Sequence, residues 1–179
     1  IHELSQNADG TFTARTTTGD ITAQSVVIAT GGLSIPKIGA TPFGYEIAKQ
    51  FGINIIPPRA GLVPLTFDQD TLSVTKDLSG ISSDPVCVSS VSKKTFTESM
   101  LFTHRGISGP AILQISSYWN PGEDIFINMS PDTDMFTWLK DQKQHHPKSM
   151  ITTILSHKLP KRLVQSMTSE FDPVPDRLA

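Results

Sequence analysis

Residues 25–32 read Ser25-Val26-Val27-Ile28-Ala29-Thr30-Gly31-Gly32. An apolar run with no polar alternation is the pattern of a strand buried on both faces, as in parallel sheets. It ends abruptly in Thr-Gly-Gly, a turn where the main chain can approach another group because glycine carries no side chain. A strand that opens into such a turn is where open α/β sheets receive nucleotides. Upstream, Asn7-Ala8-Asp9-Gly10 and Thr18-Gly19-Asp20 supply turns, and Phe12 and Ala14 alternate with threonines and Arg15. Residues 1–32 are therefore expected to form β structure, with the arm from Ile21 running on into Ala29.

Beyond the glycine pair, Gly39, Gly44 and two prolines constrain the path of the chain from Leu33 to Tyr45. Thr41 and Pro42 then start a predicted helix, threonine as N-cap and proline at the first helical position. Phe43, Ile47, Ala48 and Phe51 share a face of it, and Gly52 stops it. Thr41 also sits where free N–H groups could meet an anion. Tyr45 reads first as a packing residue and second as a site residue. Ile53 to Ile56 reads as a short strand closed by Pro57-Pro58.

The pattern changes at Arg59. Short β segments follow at Leu62–Phe67, Asp84–Val91, Thr95–Phe102 and Asp124–Met129, the spacing of a small antiparallel sheet or barrel. One helix interrupts them from Gly109-Pro110 to Trp119, with Ile112, Ile115 and Trp119 on one face. Helices are expected near 131–145, 148–158 and 160–170. The chain thus divides into an α/β piece, 1–58, and a second domain, 59–179, that is β-rich over 59–130 and helical over 131–170.

Composition is that of an ordinary globular protein: 179 residues, 37% hydrophobic and 18% charged, with a formal net charge of −2. Bulk charge gives no sign of affinity for nucleic acid, DNA and RNA alike, or for anionic membranes. No apolar run approaches the ~18 residues of a bilayer span. The single cysteine, Cys87, excludes an internal disulfide; flanked by Val86 and Val88, it reads as a buried strand residue. His145-His146 are adjacent, so their rings diverge, and no His, Cys or carboxylate cluster has metal-ligand spacing. A cytoplasmic location and no bound metal are expected.

His104-Arg105-Gly106-Ile107-Ser108-Gly109-Pro110 concentrates an imidazole, a guanidinium, a hydroxyl and two glycines before a predicted helix. That set suits an anion or a carbonyl. Its competing reading is a tight strand-to-helix connection shaped by the glycines. Lys158, Lys161 and Arg162 form a small basic patch across Pro160. Helix-end charge explains it by default, and contact with RNA phosphate is the sharper reading. There is no Gly-x-Gly-x-x-Gly followed by an acid about 20 residues on.

Four segments together carry a resemblance: VVIATGGLSIPKIGATPFGYEIAKQFGI (26–53), GLVPLTF (61–67), LFTHRGISGPAILQIS (101–116) and LPKRL (159–163). They resemble the HI0933-like flavoproteins, of the two-dinucleotide-binding-domain oxidoreductase type. The resemblance implies a partial FAD/NAD(P)-binding Rossmann-like fold with a barrel-like antiparallel β insertion followed by helices. It implies FAD as cofactor, lying against Ala29, Thr30, Gly31, Gly32 and Thr41, with NAD(P)H as a candidate electron donor. It implies an inserted domain that shapes a substrate pocket through His104, Arg105 and Ser108, and it assigns no catalytic residue. Reduction of an activated double bond is the implied chemistry, in a small molecule or in ribosomal RNA uridine. Pro42-Phe43 stands where many relatives have Gly-Asp, so an acidic cofactor contact is not carried over. Family members are longer, and Ile1-His2-Glu3-Leu4 reads as a strand without a start. The chain is thus expected to be a middle fragment, inactive alone, whose first partner is the rest of its own polypeptide. The alternative is an interaction, dimerisation or RNA-contacting module.

Overall fold

Three strands, β1 (Glu3–Gln6), β2 (Phe12–Thr16) and β3 (Gly19–Ala23), pair antiparallel in the order β1-β2-β3. The computed structural model in which they are seen describes residues 1–171. The predicted turns hold them together. The Asn7 side-chain amide donates to the hydroxyls of Thr11 and Thr13 at 2.8 and 2.9 Å, and Gly10 takes a φ of 85° that favours glycine.

α1 (Phe43–Gln50) packs on this meander. Ile47 is buried, Phe51 meets Phe12 edge-on with ring centroids 5.9 Å apart, and Gln50 Nε2 donates to the Leu4 carbonyl at 2.6 Å. The helix begins one residue later than predicted. Pro42, not Thr41, is the half-in residue, because its carbonyl accepts the first helical bonds from Tyr45 and Glu46 at 2.9 and 3.1 Å.

Two expected strands do not form. Residues 25–29 and 53–56 have no ladder, and Val27 and Ile56 are 86% and 85% exposed. A strand needs a neighbour for its N–H and C=O groups. No described strand pairs with either of these, so apolar sequence alone leaves both as open coil.

Contacts divide the chain into two compact units, Ile1–Pro58 and Arg59–Ala179. In the second, β4 (Leu65–Thr66), β5 (Ser82–Ser90), β6 (Thr95–Thr103), β7 (Gly106–Ser108) and β8 (Ile125–Asn128) form an open antiparallel sheet ordered β4-β7-β6-β5-β8. The strand expected from Leu62 shrinks to Leu65–Thr66, since Leu62 sits at φ 55° and Pro64 has no N–H to give. Pro85 likewise marks the point where the β5–β6 register shifts, between Ser83 and Val86.

The core lies between this sheet and α3 (Pro110–Ser116). Val86, Val88, Met100, Phe102 and Ile107 point to it from the strands, and Ala111, Ile112 and Ile115 from the helix. Each large member contributes roughly 1.5–3 kcal/mol by leaving water. Pro110 takes the first helical position as predicted, but the helix stops at Ser116 and leaves Trp119 beyond it. Cys87 is half-buried in β5. Two further elements were not anticipated: β7, and α2 (Gln69–Thr75), whose N-cap Asp68 accepts from Thr71 N at 2.7 Å.

The helical end comprises α4 (Met135–His145), α5 (Ile151–Leu155) and α6 (Lys161–Phe171). Ile154 and Val164 are buried, and Leu163 enters the sheet core.

Candidate functional site

Gly31 and Gly32 are exposed, with Gly31 at φ 72°. A side chain built on Gly31 would meet nothing within 4 Å, and one on Gly32 only the Tyr45 hydroxyl at 3.7 Å. The main chain is thus bare from the outside. Gly44 is the opposite case: a Cβ there would overlap Thr30 Oγ1 and lie 3.3 Å from Ile28 Cγ2. The first turn of α1 therefore rests directly on the Ile28–Thr30 segment, and a larger residue at 44 would require the Thr30 side chain to move.

Thr30 borders two clefts of the first unit. The larger, about 820 Å³, is lined by Thr30, Gly31, Gly44 and Tyr45 together with apolar Phe12, Val26, Ile28 and Phe51. The smaller, about 560 Å³, holds Thr30 and Thr41 together with His2 and Glu46. Of the five residues expected to meet a cofactor, Thr30 and Thr41 thus come together, Gly31 joins them through Thr30, and Ala29 and Gly32 line neither cleft. No side chain caps α1, so N–H groups of its first turn remain available near Thr41. Glu46 opposes a phosphate there, because two anions would share the cleft. A neutral group rich in hydroxyls fits better, with Glu46 accepting from it. The apolar cleft and the bare glycines suit a flat ring system and its polyol chain, so the residues present are compatible with a flavin.

Sequence reasoning placed Gly44 in the Leu33–Gly44 loop expected to help hold the cofactor, without its contact to Thr30, and ranked Tyr45 as a packing residue first. The signal for Gly44 was its position in a first helical turn, where glycine is otherwise unfavourable.

His104 and Arg105 form the two-residue turn between β6 and β7, and both are exposed. The Arg105 carbonyl accepts from Phe67 N at 3.0 Å, while neither side chain makes a hydrogen bond or ion pair among the described residues. Ser108 lies at the far end of β7 from that turn, opposite Leu101. The glycines beside them have steric duties. A Cβ on Gly106 would stand 2.8 Å from Thr66 Cα, and one on Gly109 would stand 2.9 Å from the Ser99 carbonyl oxygen.

Among the described residues no three His, Cys, Asp or Glu side chains converge to hold a metal. No described helix is long and apolar enough to cross a membrane. His145 ends α4, its Nδ1 2.9 Å from the Asp141 carbonyl oxygen.

A β-meander with a packed helix, followed by an antiparallel sheet and helices, is the architecture to be matched with known families. The HI0933-like protein Rossmann domain matches residues 1–112, and the HI0933-like protein barrel and H2TH domain matches 59–176. The chain belongs to the HI0933-like family. It is 48% identical over 153 residues to the ribosomal RNA dihydrouridine synthase of Escherichia coli (strain K12), covering 86% of this chain and 38% of that protein. It is 51% identical over 142 residues to the protein of the same name from Haemophilus influenzae (strain ATCC 51907 / DSM 11121 / KW20 / Rd), covering 79% of this chain and 35% of that one. The chain therefore spans less than two-fifths of the length of these relatives.

Proposed function

We propose that the full-length protein is a cytoplasmic, FAD-dependent reductase of uridine in ribosomal RNA. This chain would carry one wall of its flavin site and a substrate-facing domain. The observation that carries the cofactor reading is the bare Gly31-Gly32 main chain beside Thr30, which shares its cleft with Thr41. The relatives' printed activity supports the substrate.

Bound flavin supplies two-electron reducing power, with NAD(P)H as the donor that is oxidised. The uracil C5=C6 bond gains a hydride and a proton and becomes 5,6-dihydrouracil. The work of this chain is to bind and orient. Main-chain groups of the exposed Thr30-Gly31-Gly32 turn would hold the cofactor, with the hydroxyls of Thr30 and Thr41 as hydrogen-bond partners for its polar part. Tyr45 closes one side with its ring. The rest of the polypeptide completes the site. At the hairpin tip, His104 and Arg105 are free to meet the substrate's carbonyl or phosphate groups, with Ser108 set back along β7.

The test is the full-length protein. It should purify with flavin absorbance and, given NAD(P)H, convert uridine to dihydrouridine in unmodified ribosomal RNA, read by mass spectrometry of nucleosides. Colourless protein that FAD cannot reconstitute would overturn the cofactor assignment.

A further inference from the structure

Charge is distributed unevenly along the chain. From residue 59 to 134 there are five Lys and Arg against nine Asp and Glu. From 135 to 165 there are Lys140, Lys143, Lys148, Lys158, Lys161 and Arg162 against the single acid Asp141. The overall charge of −2 conceals this local excess. None of these six cations pairs with a carboxylate among the described residues.

Within this stretch α5 and α6 enclose a groove of about 470 Å³, lined by Thr152, Thr153, Ser156, His157, Lys161 and Gln165. Every lining side chain is polar. Ser156 Oγ donates to the Thr152 carbonyl at 2.6 Å; the other five side chains make no hydrogen bond among the described residues. Lys158, exposed and next in sequence to the lining residue His157, has its Nζ 5.8 Å from the Trp138 ring centroid. Arg162 has a structural task instead, donating to the Asp77 carbonyl. The basic patch read from the sequence thus divides into one residue that ties the fold and two that face outward.

We infer that the α5–α6 groove is a docking surface for the phosphodiester backbone of the RNA substrate. The inference rests on the RNA reading above. Hydroxyls, an amide, an imidazole and ammonium groups are the donors that hold nucleic-acid backbones in place. A groove lined only by polar residues, one of them a lysine, favours an anionic polar ligand over a flavin ring or an apolar peptide. Contacts of this kind set register and affinity, and leave the choice of base to the site that does the chemistry.

The test compares full-length wild type with Lys158→Glu/Lys161→Glu by fluorescence anisotropy with a ribosomal RNA fragment over a salt series. The variant should bind roughly tenfold more weakly, with a log-log salt slope shallower by about 1 to 2. Flavin content and flavin reduction by NAD(P)H should be unchanged, and Lys161→Arg should bind like wild type. Unchanged affinity and slope in the charge-reversed protein would overturn the inference and leave the RNA reading intact. Weakened binding by a protein that makes no dihydrouridine would support the groove and sink the catalytic proposal. Wild type that binds no RNA would sink both. Equal affinity for DNA of the same sequence, or for polyglutamate, through the same residues would overturn the commitment to RNA. If the charge reversal prevents folding, Thr153→Val/Gln165→Leu removes donors without changing charge; about threefold weaker binding at constant salt slope supports the groove, and unchanged binding overturns it.

Discussion

The hydroxyl of Thr30 occupies the space from which a side chain on Gly44 would grow. Helix α1 and the glycine turn are thereby held in contact by the lack of one methyl group. Both residues line the same cleft. Gly44→Ala should therefore destabilise the first unit by about 1–3 kcal/mol, the usual result of overpacking. Full-length protein carrying it should also retain less flavin. Adding Thr30→Ala removes the colliding oxygen and should restore the unfolding midpoint. A single mutant as stable as wild type would show that this packing is loose.

Gly106 and Gly109 make the same argument in the sheet, where the opposing atoms are main chain and cannot swing aside. Gly106 is at φ 151° and Gly109 at φ 98°. Gly106→Ala should cost about 3 kcal/mol or prevent folding, since strain and overlap act together. Chemical denaturation of the two alanine variants checks this. A loss confined to activity would point to a catalytic duty instead.

Arg105→Ala separates function from stability. The residue is at an exposed hairpin tip without a side-chain partner, so stability should move by no more than about 0.5 kcal/mol. Dihydrouridine formation should fall while reduction of the flavin by NAD(P)H stays constant. Equal turnover by wild type and variant would remove Arg105 from the substrate site.

Asp134 is held below the ordinary carboxylate value of 3.8 because it accepts from the Thr137 hydroxyl, from Thr137 N and from Phe136 N at the start of α4. A depressed carboxyl stabilises the fold above its unfolded pKa, and that contribution fades as pH falls through the folded value. The gap in unfolding midpoint between wild type and Asp134→Ala should be full near pH 6 and should shrink below about pH 4. Asp134→Asn should keep most of the cap, since asparagine accepts from the same groups. A gap that does not change with pH would mean that the negative charge is not what caps α4.

What could be read from the sequence depended on where each segment finds its partners. The β-meander was legible because its turns are local: Asn7 and Gly10 specify their bend without distant help. β5 and β6 were legible because each finds the other a few residues away. The run Ser25–Ala29 reads as strand by composition and is coil, because a parallel strand borrows all its hydrogen bonds from segments far off in sequence. The glycine turn was read from its pattern; Gly44 was read as shaping the loop, but the contact that demands glycine there was not, since it comes from Thr30 fourteen residues earlier. β7 escaped notice because Gly106 looks like a breaker, while its place against Leu65 and Thr66 demands the smallest residue. The cationic bias of 135–165 was present in the sequence throughout, hidden by averaging over the whole chain.

Within two consecutive residues, α6 turns Lys161 to the solvent and anchors Arg162 to the Asp77 carbonyl, and Leu163 follows into the core of the sheet. Solvent and sheet core are thus only two residues apart along this helix, so a substitution on its outer face has a short covalent path to the packing of the strands.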